Sequence, residues 1–557
     1  MIGHSRKFGA AIALSLIGAS AASAQQQTRP APPPLPYRVL KELQKDPAKW
    51  AEFLARHEMP TPAPEPLSAP PGVLGWKSFP TAPSGDPLSN PLLLTDGSII
   101  AHVTCTGRWY RLAPDIDGNY ATSAWKAIAS LPAGYAPRFF GSAVLQDGRV
   151  IIEGGEYNTT SCKDVETNRG AIYDPENNAW TAVAPPKGWS EIGDAESIVL
   201  PNQTYLLSSA ATIDLATLNL SSLTWTSFLP SGKSDSNNEE NWTLLPDGDV
   251  LTVEAYTQSP SCLSGTATYL PGSRTWMNSG STPQRLSGCA GSIQNFEAPT
   301  QVLQPSGDVI AFGATASLPK QNFPVYTAIF NTSTKKWSSG PDMPKVDGVY
   351  YTMADAPASI LPDGSAMIAA SPGEWKNASD HGYPSPTHIF RYYQSAFTQL
   401  GDIANASVIS SYEVNMLVLP TGDILAVETD YANNNLFPAS TDFPRLPAYA
   451  PIISSAPQTV SPGATYTLSG NQISGLTQGA VYGDDCQADT NFPLVRIVNN
   501  ATGHVFYAKT TNFSRTIAPD APSATDFTVS SSTEEGASEL YVVVNGIAST
   551  AWPVTVN

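Results

Sequence analysis

Positive charge is scarce in this sequence. Only 30 Lys and Arg stand against 48 Asp and Glu, a formal net charge of −18. A chain this acidic is repelled by phosphate backbones and anionic lipid unless it carries a local basic stripe, and none is present. Nucleic acid is therefore not an expected partner. Histidine is scarcer still at six residues, and cysteine numbers five. Metal centres built on several imidazoles or thiolates have little to draw on. Apolar runs long enough to span a bilayer are missing, so no integral membrane segment is expected. What abounds is turn chemistry, with 50 Pro and 41 Gly in 557 residues. That is the composition of an all-β chain of many short strands.

The N-terminus speaks to compartment. Arg6 and Lys7 precede an apolar run from Phe8 to Ala19, and Ala22-Ser23-Ala24 supplies small residues for cleavage. This order reads as a signal peptide over residues 1–24 and predicts a secreted or periplasmic protein. In an oxidising compartment, Cys105, Cys162, Cys262, Cys289 and Cys486 predict two disulfides and one free thiol. Cys105 with Cys162 and Cys262 with Cys289 are the preferred pairs, each on neighbouring repeat units, with other connectivities open. Residues 25–71 are Pro-rich around one expected amphipathic helix, Tyr37 to Glu58.

One pattern then recurs: apolar strand, tight turn, apolar strand. It stands as Leu94-Thr-Asp-Gly-Ser-Ile99, Leu145-Gln-Asp-Gly-Arg-Val150, Leu245-Pro-Asp-Gly-Asp-Val250, Pro305-Ser-Gly-Asp-Val309, Leu361-Pro-Asp-Gly-Ser-Ala366 and Leu419-Pro-Thr-Gly-Asp-Ile424. A degenerate copy, Leu200-Pro-Asn-Gln-Thr-Tyr205, fills the gap. Asp and Gly tolerate the positive φ that such hairpins require. The turns recur every 45 to 59 residues, a propeller-blade period. An aromatic follows each of the first six turns: Trp125, Trp180, Trp225, Trp276, Trp337 and Phe397. The seventh lacks one, but Trp76 precedes the first turn. That offset predicts an N-terminal strand completing the last blade and closing the ring.

The second unit, with Gly141-Ser-Ala-Val-Leu-Gln-Asp-Gly-Arg-Val150, Gly154-Gly155, Tyr173-Asp174-Pro175 and Trp180, resembles a kelch repeat. Farther on, Tyr482-Gly-Asp-Asp, Asn491-Phe-Pro-Leu-Val-Arg-Ile-Val, Gly503-His-Val-Phe-Tyr-Ala and Val544-Asn-Gly-Ile resemble the C-terminal immunoglobulin-like domain of the galactose oxidase and glyoxal oxidase family. The expected fold is thus all-β: a seven-bladed kelch β-propeller over 72–447 and an immunoglobulin-like β-sandwich over 448–557. Strands are expected in that sandwich at Ala464–Ser469, Leu494–Asn499, His504–Lys509, Asp526–Ser530 and Leu540–Asn545. The resemblance implies a copper site of two tyrosines and two histidines, one tyrosine cross-linked to cysteine. The comparable slots here hold Tyr412-Glu413 and Ala354-Asp355, with carboxylate in place of imidazole. Thr511-Asn-Phe-Ser514, matched to the loop that supplies the other family histidine, has none. Copper is therefore not expected. His57, His102, His381, His388 and His504 lack partners at ligand spacing and read as structural.

A register of acids remains. Asp194, Glu239, Glu297, Asp355 and Glu413 each lie six residues before the leucine leading into a turn, counting Glu297 from Leu303 with a turn one residue longer. Leu88 and Phe139 break the register in the first two units. Such acids fall near the start of channel-lining strands and can ring one mouth of the channel. They can hold a hard cation such as Ca²⁺, or accept hydrogen bonds from sugar hydroxyls with Tyr351 and Tyr412 as stacking faces. They can equally tie blade to blade. The expectation is an exported, non-catalytic protein that binds a glycan or an extracellular or envelope protein, with no cofactor expected and a Ca²⁺ ion left open. A carbohydrate-active enzyme, oxidase-like or hydrolase or lyase, using the acidic ring is the alternative.

Overall fold

The computed structural model describes residues 75–258, 262–288, 297–377, 382–443, 445–482, 489–519 and 521–557. All belong to the second of the chain's two compact units, Pro62–Asn557. The signal peptide expected over residues 1–24, the helix expected at Tyr37–Glu58, His57, His381, Cys289 and Cys486 lie outside the described residues. Among those described, no helix is long and apolar enough to cross a membrane.

The described residues are almost entirely strand and turn, arranged as a β-propeller. Seven innermost strands carry the repeats: β1 (Ser89–Leu93), β2 (Gly141–Val144), β3 (Ser197–Val199), β4 (Thr243–Leu244), β5 (Gln301–Leu303), β6 (Pro357–Ile360) and β7 (Val414–Val418). Each pairs antiparallel with the strand after its turn, as Ala143 with Ile151 and Leu417 with Leu425. The expected seven equal blades are corrected in number. The structure forms six four-stranded blades, while the strands of the Leu361 repeat are absorbed into a seven-stranded sheet. That sheet gains the hairpin of Lys345–Val346 and Val349–Thr352 on one side. On the other it gains β8 (Ala480–Tyr482), which pairs with β6. Periodicity could not foresee this, because β8 arrives from more than a hundred residues downstream.

Ring closure follows the expected offset. Lys77–Phe79 pairs with Asn434–Phe437 on the outer edge of the last blade. Three of the recurrent tryptophans have a common job. Trp125 Nε1 donates to Pro80 O (2.8 Å), Trp180 Nε1 to Ala129 O (3.0 Å) and Trp225 Nε1 to Ala184 O (2.8 Å). Each indole thus hooks an outer strand onto the connection behind it, and the ring's apolar body fills the blade interface.

Cys105 and Cys162 form the expected disulfide, with Cα atoms 5.3 Å apart. The pairing of Cys262 with Cys289 falls outside the described residues.

The C-terminal residues form a nine-stranded sheet. The strands expected there appear as Thr465–Asn471, Leu494–Asn499, Val505–Thr511, Pro522–Thr528 and Gly536–Val544. This sheet packs on the hairpin-turn end of the propeller. Thr510 N donates to Thr95 O (3.1 Å), Asn512 N to Gln146 O (2.8 Å) and Val505 N to Ile116 O (2.7 Å). Turn glycine therefore answers two demands. Gly97 has φ 79°, and a Cβ there would stand 2.6 Å from the Tyr507 ring. Gly97→Ala is expected to cost roughly 2–3 kcal/mol by combining backbone strain with overpacking. Urea unfolding monitored by tryptophan fluorescence measures it.

Candidate functional site at the channel mouth

Inner strands run from one mouth of the channel to the hairpin turns, so residues preceding them gather at the end opposite the C-terminal sheet. The turn into the strand has its own geometry. Phe139, Glu239 and Asp355 share one register position and take left-handed φ of 49°, 55° and 45°. Such backbone is costly for residues with a Cβ, and Asp tolerates it better than most.

Three of the five register acids converge. Carboxylate oxygens of Glu239, Glu297 and Asp355 lie within 4.8 Å of one another, and all three side chains are half-buried. Glu297 reaches the group by a different route from the one expected. The turn after β5 has ordinary length, with Gln304 N donating to Asp308 O (2.8 Å) in the place of leucine. The extra residue lies on the mouth side, before β5. Burial, with the charges of Glu297, Asp355 and Asp194 added, pushes the Glu239 carboxyl well above the usual range.

Asp194 joins this group to a second one that the register did not reveal. Burial foremost, then Glu297 and Asp164, pushes Asp194 up to about 6. Burial together with Asp194 raises Glu156 to about 8 and Glu166 to about 7. The signal for Glu156 stood in the sequence as the glycine pair before it. Gly155 N donates to Gly193 O (2.6 Å), which draws the loop against Asp194. A Cβ on Gly154 would collide with that same carbonyl.

Three candidates are placed elsewhere. Glu413 caps a short 3-10 turn by accepting from Ser410 N (2.7 Å), and it faces Asp430 and Arg138, themselves paired at 3.2 Å. It is not among the converging acids, because its backbone is committed to that turn. Tyr351 is 3% exposed and stacks on His388 at 5.1 Å, so it offers no face to a sugar. Tyr412 is half-buried beside Glu413. Among the described histidines, His102 is buried with Nε2 on Thr106 O (2.8 Å), His388 bonds Asp402 (2.8 Å) and His504 bonds Glu534 (2.7 Å).

Blade-to-blade ties are made by the residues two positions after the acids. Glu196 Oε1 accepts from Glu240 N (3.0 Å), Asn241 Oδ1 from Gln301 N (3.2 Å) and Asn415 Oδ1 from Asn90 N (3.0 Å). Where proline takes that position, Thr300 Oγ1 donates to Ala356 O (2.7 Å) instead. Thr511–Ser514 lies against the hairpin turns, where Gln203 Nε2 donates to Phe513 O (3.2 Å). The part of the C-terminal region that enters the channel is β8.

No family model and no curated protein matches the chain. Solved structures with related folds include a fungal alcohol oxidase of the AA5 family in complex with copper, 13% identical with a TM-score of 0.47, covering 87% of this chain and all of that one. They include a streptogramin B lyase, 12% identical with a TM-score of 0.42, covering 65% of this chain and 96% of that one. The extracellular domain of a one-component system from B. thetaiotaomicron is 11% identical with a TM-score of 0.43, covering 78% of this chain and 51% of that one. These likenesses are ones of fold.

Proposed function

We propose that this chain is an exported binding protein. Its propeller mouth holds a hard divalent cation, Ca²⁺ first, and presents it to a glycan or an envelope protein. The kelch character of the repeats and the immunoglobulin-like character of the C-terminal sheet belong to this reading. The observation that carries it is the convergence of Glu239, Glu297 and Asp355 within 4.8 Å. Three ionised carboxylates at that spacing repel by about 3 kcal/mol per pair at an effective dielectric of about 20. Shared protons relieve the repulsion, and so does a cation. Oxygen donors alone favour Ca²⁺ or Mg²⁺ over softer metals. Sugar hydroxyls or a partner's carboxylate can complete the coordination.

Calorimetric titration with Ca²⁺ at pH 7.5 tests this. Wild-type protein is expected to take up one ion, and Glu297→Gln to lose at least about tenfold in affinity because one charged ligand is gone. Protons leave as the ion binds, Glu239's among them, so affinity rises with pH above the ordinary glutamate range. No uptake by the wild type, together with no Ca²⁺-dependent signal on a glycan array, ends this proposal. The enzymatic alternative draws on the same neighbouring carboxyls, of which Glu239 is pushed well above the usual range, as suits an acid role. Release of reducing ends from polysaccharides, abolished by Glu297→Gln, favours that alternative.

A further inference from the structure

The acids of the mouth stand just ahead of strands too short to hold them alone. β4 has two residues and β5 three, while the three carboxylates ahead of these strands and of β6 push one another apart. What braces these strands enters from the C-terminal sheet. Gln478, 1% exposed, donates from Nε2 to Trp242 O (3.0 Å), three residues after Glu239. Ile360 N donates to Gly479 O (2.7 Å). β8 then pairs with β6, Tyr482 opposite Pro357 and Ala480 opposite Ser359, so the ladder ends two residues from Asp355. β8 also lies beside β5, the strand that follows Glu297, and beside β7.

The brace is itself anchored. Asn545 Nδ2 donates to Thr477 O (3.2 Å) and Thr477 Oγ1 (2.8 Å), and Asn545 Oδ1 accepts from Thr490 Oγ1 (2.8 Å). Gly479 takes φ 88°, and a Cβ there would meet Thr490 Oγ1 at 2.5 Å. The segment thus connects the C-terminal sheet to each of the three inner strands that follow the converging acids.

We propose that Gln478–Tyr482 is the positioning element of the mouth. By bonding β4 and β6 and lying against β5, it sets the spacing of Glu239, Glu297 and Asp355. Its consequence for binding rests on the cation reading, whereas its geometric role does not. Cation binding and the seating of this segment are reciprocally linked, so each strengthens the other.

Gln478→Met keeps the side chain's length and removes its bond to Trp242 O. Two readouts follow: calorimetric Ca²⁺ titration, and crystal structures of the Ca²⁺-free variants, which measure the spacing of the three carboxylates. The expected result is a Ca²⁺ affinity about tenfold weaker and a Glu239 carboxylate that leaves the group within 4.8 Å. The thermal midpoint in EDTA should move by only a few degrees. Thr477→Val, which loosens the segment from Asn545, is measured the same way in case Gln478→Met does not fold. If the carboxylates spread but wild-type protein takes up no Ca²⁺, positioning stands and the cation reading falls. If both variants keep the wild-type carboxylate spacing, positioning is overturned, whatever the Ca²⁺ result.

Discussion

Lys233→Met is expected to lower stability by about 3–5 kcal/mol, because it breaks a buried ion pair and leaves its acids uncompensated. The Lys233 and Glu240 side chains are both fully buried, with Nζ 2.6 Å from the Glu240 carboxylate and 3.6 Å from that of Asp235. Nζ also donates to Ser236 O (2.8 Å) and Asn237 Oδ1 (3.2 Å). Burial opposes the charge on Lys233, but Glu240 and Asp235 outweigh it and hold its pKa above the usual lysine value. The acids around it are in deficit. Burial and the neighbouring Glu240 push Glu196 well above the usual range, and burial raises Glu254 to about 8. Without the single cation, this interior keeps its acids only by protonating them. The double variant Lys233→Met/Glu240→Gln is expected to recover most of the loss. Urea midpoints at pH 7 measure both. A loss under about 1 kcal/mol for the single variant, or no recovery in the double, contradicts the account.

Glu153→Met is expected to act in the opposite direction and to stabilise the protein at neutral pH. Glu153 is fully buried, and neither carboxylate oxygen has a hydrogen-bond partner. It stands opposite Gly141 and Gly170 in the second blade, and its carboxyl lies over the bare Cα of Gly170. Burial alone raises its pKa well above 4.5. The native state therefore holds this proton more tightly than the unfolded chain does. The stability that goes with it is complete below pH 4.5, the unfolded value. It drains away as pH rises toward the folded value, with a limiting slope of about 1.4 kcal/mol per pH unit. Methionine carries no proton and fills similar volume. The difference between variant and wild type should thus be near zero at pH 4 and should widen on going to pH 8. Thermal midpoints at both values decide it, and a difference that does not depend on pH defeats the idea.

Legibility in the sequence followed locality. Asp-Gly turns at regular spacing were visible because positive φ is a demand on one or two residues. Gly97, Gly148, Gly248, Gly307, Gly364 and Gly422 all meet it, and Gln203, the degenerate copy, is forced to φ 73° without glycine. The aromatic markers and the closing N-terminal strand were visible for the same reason. Three members of the acid register came together because a repeat places equivalent residues at equivalent radius. Glu413 was lost to a local turn and Tyr351 to packing under His388, neither of which leaves a mark in the spacing. Glu156 and Glu166 joined the mouth through a loop pinned to Gly193, a contact between repeats.

The sequence by itself determined the strand pattern, the hairpin turns and the ring offset, since each depends on residues near in the chain or repeated at fixed intervals, and it left the Cys105–Cys162 disulfide as one of several connectivities. Tertiary structure decided the blade count, the membership of the acidic mouth and the entry of β8 into the channel. Those depend on where distant segments compete for the same strand edge and the same buried volume, and one-dimensional spacing carries no record of that competition.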